Sequence, residues 1–312
     1  MTLNPRAEWI AVDWGTSRMR ACAVGADGAV LEESPAGPGM GSLEPDDYEP
    51  TLLAAIGPQL DARTAERPLD VLVCGMAGAR QGWREAPYVP LPATLKGLLG
   101  KAVEVPVSDA RLKVRIVPGL CREGGEPDVM RGEETQLLGL ITREGLSDAV
   151  VCLPGTHSKW VRIASGSVEA FSTHMTGELH ALLAERSILR HSIPNGGDGA
   201  FDEDTFDTAV AEAVEAKGAV LDRLFAIRAA GLVGDGATPS AAAARLSGLL
   251  IGGEIARAQI ASAVHVIAAG SLARLYERAL RAVDVRAIVH DGGALALAGL
   301  ARMRQEHVER GE

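Results

Sequence analysis

Trp9-Ile10-Ala11-Val12-Asp13-Trp14-Gly15-Thr16-Ser17-Arg18 is answered in the second half of the chain by Val151-Cys152-Leu153-Pro154-Gly155-Thr156-His157-Ser158-Lys159-Trp160. In both stretches a short apolar run, read as a buried strand, ends in a turn that combines Gly, Thr, Ser and a cation. A second apolar run follows, over residues 20–24 in the first case and 160–163 in the other. An internal echo of this kind points to two related halves, divided near residue 145 and facing each other across a cleft.

Such turns have a chemistry of their own. Glycine lets the backbone approach a ligand with no Cβ in the way, so N–H donors and hydroxyls are presented together, as a phosphate cradle requires. Two turns could hold the β- and γ-phosphates of one nucleotide while a metal ion neutralises them. Asp13, at the end of the first strand, is placed to hold that metal through its waters. The equivalent position in the second stretch is Leu153, so the natural division is a metal-side turn, Gly15 to Arg18, and a phosphate-side turn, Gly155 to Lys159.

Further strands are expected at residues 71–74, 115–118, 264–268 and 287–290, and helices at 129–141, 178–186, 205–217, 220–230, 241–263, 272–282 and 294–304. Within 129–141, Leu137, Leu138 and Ile141 share one face, and Glu133 and Glu134 fall in the first turn, where acids complement the helix dipole. The strand at 264–268 runs into Ala269-Gly270-Ser271 and a helix start, a platform for a nucleoside or phosphate. The fold class is therefore α/β.

The chain has 312 residues, about twice the ~150 of a typical domain. Apolar residues make up 47% but aromatics only 4%, which suits close helix-on-sheet packing, and a net charge of −10 opposes nucleic-acid binding. Cys22, Cys74, Cys121 and Cys152 stand singly among apolar residues and read as buried thiols. Residues 1–9 lack a secretory pattern, and no apolar run approaches the ~18 residues of a membrane span, so a soluble, cytoplasmic protein is expected. A Walker-type loop is missing, and the glycines of Gly37-Pro38-Gly39-Met40-Gly41 miss the dinucleotide spacing and read as a loop. His174, Glu178 and His180 do not share a helical face, which argues against zinc.

The ordered set of two hairpin turns and a late Gly turn resembles the actin, hexokinase and Hsp70 superfamily. Within it, Ala11 to Ser17, Gly78-Ala79-Arg80-Gln81-Gly82-Trp83, Glu85-Ala86-Pro87-Tyr88, Met130-Arg131-Gly132-Glu133-Glu134-Thr135-Gln136, Leu153 to Trp160 and Met175-Thr176-Gly177-Glu178-Leu179 are similar to the 2-dehydro-3-deoxygalactonokinase family. Ala79 departs from the Ser expected there. The resemblance implies two actin-like (ribonuclease H-like) domains, 1–145 and 146–312, with ATP and Mg²⁺ held by Gly15, Thr16, Ser17, Arg18, Gly155, Thr156, His157, Ser158 and Lys159, and adenosine by Gly270 and Ser271. It also implies a six-carbon 2-keto-3-deoxy sugar acid, phosphorylated at C6. Its carboxylate and keto oxygen call for donors, for which Arg80, Arg84 and Arg131 are candidates with Gln81 and Trp83 beside them. The acid that receives the hydroxyl proton is Glu133 or Glu134, with Asp128 as third choice. A homodimer is the default assembly. The alternatives are a same-fold kinase for another small acceptor and a non-catalytic regulator on the same fold.

Overall fold

The computed structural model describes residues 7–61, 63–193, 201–234, 238–260 and 263–311. By its contacts the chain forms two compact units, one made of Met1–Ser147, Ala164–Ala170 and Gly292–Glu312, the other of Asp148–Ile163 and Phe171–Asp291.

In the first unit, strands Trp9–Trp14 (β1), Arg18–Val24 (β2), Val30–Glu33 (β3) and Gly37–Pro38 (β4) lead to helix Tyr48–Ile56 (α1) and then to Leu69–Gly75 (β5). Tyr88–Pro90 (β6), Ala93–Thr94 (β7), Val103–Val105 (β8), Leu112–Ile116 (β9), Gly119–Arg122 (β10) and Asp128–Met130 (β11) precede helix Glu133–Glu144 (α2). The main sheet runs β3-β2-β1-β5-β9-β8, with β4 paired to β2. β1 is antiparallel to β2 and parallel to β5, which is in turn parallel to β9. β1 and β5 are almost wholly buried, and their near-continuous apolar runs are what a strand covered on both faces needs.

The second unit holds Ala149–Leu153 (β12), all but the last residue of Ser158–Ala164 (β13) and the second half of Ser167–His174 (β14), then helices Thr176–Arg186 (α3), Glu203–Glu215 (α4), Leu221–Val233 (α5) and Pro239–Ile255 (α6). Val264–Ile267 (β15), Gly270–Arg281 (α7) and Ala287–His290 (β16) complete it. Its strands follow the order β14-β13-β12-β15-β16, with β12 antiparallel to β13 and parallel to β15, and β15 parallel to β16. This is the order of β3-β2-β1-β5-β9, with the same sense from β13 to β16 as from β2 to β9, so the two echoed stretches occupy the same place in two copies of one ribonuclease H-like sheet. The protein is α/β, with two actin-like units.

Several expectations need adjustment. The span 129–141 is not one helix: its first residues pair as β11 against β10, and the helix starts at Glu133 because Gly132, at φ 102°, leaves the helical region. The helix expected over 241–263 ends at Ile255, and residues 261 and 262 of that span lie outside those described. Helix α1 and strand β14 have no strong periodicity and were not expected. The closing helix Gly292–Glu309 (α8), assigned by the sequence division to the second half, joins the first unit.

The reason lies in its crossing with α2. A Cβ at Gly139 would stand 2.0 Å from the Leu295 carbonyl oxygen, and one at Gly299 would stand 2.0 Å from that of Thr135. Two glycines thus let the helix backbones touch. Gly299→Val is expected to lower stability by at least ~2 kcal/mol through this clash, read as a fall in the thermal midpoint of the first unit. An unchanged midpoint would contradict the crossing.

Candidate active site

Asp13 and Cys74 are register partners at the carboxyl ends of β1 and β5, and the Cys74 thiol lies 3.9 Å from Asp13 Oδ1. Carboxyl ends of parallel strands are where open α/β sheets bind ligands. Burial raises the pKa of the Asp13 carboxyl, opposed by the guanidinium of Arg20, its cross-strand partner on β2. The strand end is tight: Gly75 has φ 89°, and a Cβ there would meet the Trp14 carbonyl oxygen at 2.7 Å.

The start of α2 packs into this space, since a Cβ on Gly132 would lie 3.1 Å from Gly75 Cα. The Gly132 N–H donates to both oxygens of Glu134, at 3.0 and 2.7 Å, and the Thr135 hydroxyl donates to Glu134 Oε1 at 3.1 Å. Glu134 is fully buried, and burial, reinforced by the charge of Glu133, lifts its pKa to about 8. Glu133 is half-buried and accepts the Arg131 N–H at 2.9 Å. The Cys74 thiol, flanked by the charges of Asp13 and Glu134, is held well above its ordinary pKa, chiefly by burial. One locality therefore collects Asp13, Cys74, Gly75, Gly132 and Glu134. Asp128 sits at the other end of β11 from the helix start and accepts from the Val129 N–H at 2.8 Å.

The first turn follows directly from β1. Gly15 N–H donates to the Arg18 carbonyl at 2.9 Å, and Thr16, Ser17 and Arg18 are exposed at its tip. Its carbonyls face the segment read as a plain loop: Met40 N–H donates to Gly15 O at 3.1 Å and Gly41 N–H to Thr16 O at 2.8 Å. Residues 37–41 are thus the prop of the turn, a role that spacing alone did not reveal.

Of the residues expected around the acceptor, Arg80, Gln81 and Arg84 are exposed, and Arg80 pairs with Glu85 at 3.4 Å. Trp83 is less available than expected. It stacks on Tyr48 with centroids 5.8 Å apart and meets Trp14 edge-on at 5.9 Å, because these rings fill the core beside β1. Arg131 is buried rather than solvated: Nη2 donates to the Ala86 carbonyl at 2.7 Å, the guanidinium lies 4.3 Å over the Tyr88 ring, and Nε and Nη1 have no hydrogen-bond partner. It ties residues 86–88 to the start of α2.

In the second unit the turn joins β12 to β13. Thr156 and His157 are exposed and Gly155 is half-buried. The Glu178 N–H donates to Thr156 O at 3.1 Å, and His157 Nε2 lies 2.5 Å from Glu178 Oε2. Ser158, expected to offer its hydroxyl to phosphate, is fully buried, with Oγ 2.9 Å from the Tyr276 hydroxyl. The strand alternation that sends Ser158 and Trp160 inward explains this. Lys159, expected to contact a phosphate oxygen, is 6% exposed. A cavity of about 160 Å³ beside the turn is lined by Gly155, Thr176, His180, Leu250, Leu272 and Tyr276. It brings the turn together with α7, whose first residues, Gly270 and Ser271, are exposed.

Among the described residues no group of three or more His, Cys, Asp or Glu side chains is placed to hold a metal ion. Asp13 nonetheless suits a hydrated magnesium ion: it is a desolvated carboxylate that accepts from the weak Cys74 thiol, and Mg²⁺ is commonly bound by one or two carboxylates plus phosphates and water.

A duplicated ribonuclease H-like sheet, with a Gly-hydroxyl turn in each copy and one carboxylate at the end of the first central strand, defines an actin-like phosphotransferase. Residues 13–303 match the family described as 2-keto-3-deoxy-galactonokinase. The Rhizobium meliloti (strain 1021) protein named "Probable 2-dehydro-3-deoxygalactonokinase DgoK1" is 42% identical over 94% of this chain and 95% of its own. The Escherichia coli (strain K12) 2-dehydro-3-deoxygalactonokinase is 33% identical over 91% of this chain and 94% of its own. A crystal structure from Sinorhizobium meliloti under the same enzyme name superposes with a TM-score of 0.86 at 39% identity, covering 95% of this chain and 98% of that one. The chain belongs to the 2-keto-3-deoxy-galactonokinase family.

The buried acid at the start of α2 sets a pH dependence. With a folded-state pKa of about 8 against an ordinary 4.5, Glu134 keeps a proton in the folded protein that the unfolded chain has released. Stability contributed by this group therefore falls as pH rises between those values. Glu134→Gln is expected to match the parent near pH 5 and to exceed it by on the order of 1–3 kcal/mol near pH 8 in chemical denaturation. A pH-independent difference would refute the buried, protonated acid.

Proposed function

We propose that the protein transfers the γ-phosphoryl group of ATP to the C6 hydroxyl of 2-dehydro-3-deoxy-D-galactonate, giving 2-dehydro-3-deoxy-6-phospho-D-galactonate and ADP. The names of the relatives supply the acceptor. The observation that carries the chemistry is the meeting of Asp13, at the end of β1, with the acidic start of α2 across Gly75 and Gly132.

In this reading Asp13 holds hydrated Mg²⁺, which when bound neutralises charge on the β- and γ-phosphates. Gly15, Thr16, Ser17 and Arg18 form one phosphate-binding element and Gly155, Thr156, His157 and Lys159 the other, with Ser158 contributing its backbone alone. Gly270 and Ser271 receive the nucleoside at the start of α7, whose axial N–H groups favour an electronegative partner. Glu133 orients the C6 hydroxyl and accepts its proton. It is half-exposed, whereas Glu134 is enclosed and protonated near neutrality and so serves to pin Gly132. Arg80, Arg84 and Gln81 reach the acceptor's carboxylate and keto oxygen, while Arg131 and Trp83 hold the 78–88 segment in place. The enzyme works in the cytoplasm, as a homodimer by default.

Glu133→Gln is expected to lower kcat by ~10² to 10⁴, the range of a lost general base, with the KM for ATP little changed. A loss under tenfold would move the role elsewhere. Asp13→Asn should abolish the magnesium dependence of turnover along with most of the activity; a folded, fully active variant would remove the metal role. Coupled ADP release with the galactonate- and gluconate-derived keto-deoxy acids tests the acceptor. At least a tenfold preference in kcat/KM for the former is expected, and an equal or reversed preference would overturn that choice.

A further inference from the structure

Glu254 lies in the middle of the second unit's core, 2% exposed, on α6. Its Oε2 accepts the Trp160 indole N–H at 2.8 Å and its Oε1 accepts the Tyr276 hydroxyl. The nearby hydroxyls of Ser158 and Thr176 also favour its ionised form, and Ser158 Oγ is 2.9 Å from the Tyr276 hydroxyl. One acid thus gathers donors from β13, α3 and α7. Around it pack Cys152, Ile251, Ile255 and Val266, an apolar setting in which a buried carboxylate is costly and an aliphatic side chain would serve the core better.

The donors explain why an acid stands there. Ser158 is the first residue of β13, on the exit side of the second turn, and Thr176 is the first residue of α3. Two residues on, the Glu178 N–H donates to Thr156 O at 3.1 Å, and a Cβ on Gly177 would stand 2.5 Å from Gly155 O. The turn is therefore gripped between two segments that are both tied to the same carboxyl. Thr176 and Tyr276, two of its partners, line the cavity that Gly155 also lines.

We propose that Glu254 is a positioning residue: through Ser158, Tyr276 and Thr176 its carboxylate sets the conformation of residues 155–157 and so the affinity of the second turn for nucleotide phosphate. This rests on the reading that the turn binds ATP. The group has a further consequence, because burial pushes its pKa up to about 7 against the opposing effect of its four donors. The titratable groups against it are Cys152 of β12 and Tyr276 of α7, both driven above their ordinary pKa and so neutral in this range. A proton on Glu254 removes an acceptor site from a network of donors and loosens the grip. Nucleotide affinity accordingly falls as pH drops through about 7.

The test is calorimetric titration of the full chain with Mg·ADP at pH 6 and pH 8, on the parent, Glu254→Gln and Tyr276→Phe. The parent is expected to bind several-fold more tightly at pH 8 than at pH 6. Glu254→Gln should lose ~5- to 20-fold in affinity at pH 8 and show a flatter pH dependence, and Tyr276→Phe should weaken binding at pH 8 with the KM for the keto acid within twofold of the parent. Should Glu254→Gln fail to fold, Tyr276→Phe decides alone. Parent binding with variants of equal affinity and equal pH dependence overturns the positioning role and leaves the kinase reading intact. A parent that binds no Mg·ADP at either pH removes the nucleotide reading, and this inference with it.

Discussion

The register of β1 against β5 is the constraint on which the first unit depends. It sets Asp13 beside Cys74 and Trp14 beside Gly75, so that the one carboxylate of the central strand emerges where the parallel strands end. A slip of one residue would turn Asp13 to the opposite face of the sheet and bring an apolar neighbour into its place. The slip is prevented because β1 is buried along both faces, leaving Asp13 as the one polar residue in an otherwise apolar strand.

Around that register the chain spends glycine where backbones must touch. Gly75 and Gly132 bring the end of β5 to the start of α2, and Gly139 with Gly299 brings α2 to α8. The acidic first turn of α2 is thereby delivered to Asp13, and the last helix of the chain braces the helix that carries it. Within this arrangement the two neighbouring acids diverge by environment. Glu134 is enclosed and bonded to Gly132, while Glu133 stays at the margin, although both stand in the same turn of the same helix.

The second unit repeats the sheet with a different distribution of polarity. Its central strand ends in Leu153 where the first has Asp13, and the polar investment lies behind the turn, in Glu254 and its donors. Two copies of one topology have thus been specialised in complementary ways, with a carboxylate at the mouth of one and a hydrogen-bonded support beneath the turn of the other.

Local sequence was enough for the duplication, the turns at 15–18 and 155–159, the strand cores and most helices, because each of these rests on short-range patterns: apolar runs, glycine next to hydroxyls, acids in a first turn. The separation of Glu133 from Glu134, the inward turn of Ser158, the engagement of Trp83 with Tyr48 and Trp14, the propping of the first turn by residues 37–41 and the gathering of donors at Glu254 were not legible. Each depends on which side chain from a distant segment fills the adjoining space, and burial by such a partner is a property of the assembled core. The sequence by itself determined which elements form and which chemical groups they carry; only tertiary packing decided which of those groups meet solvent and which are consumed in holding the others still.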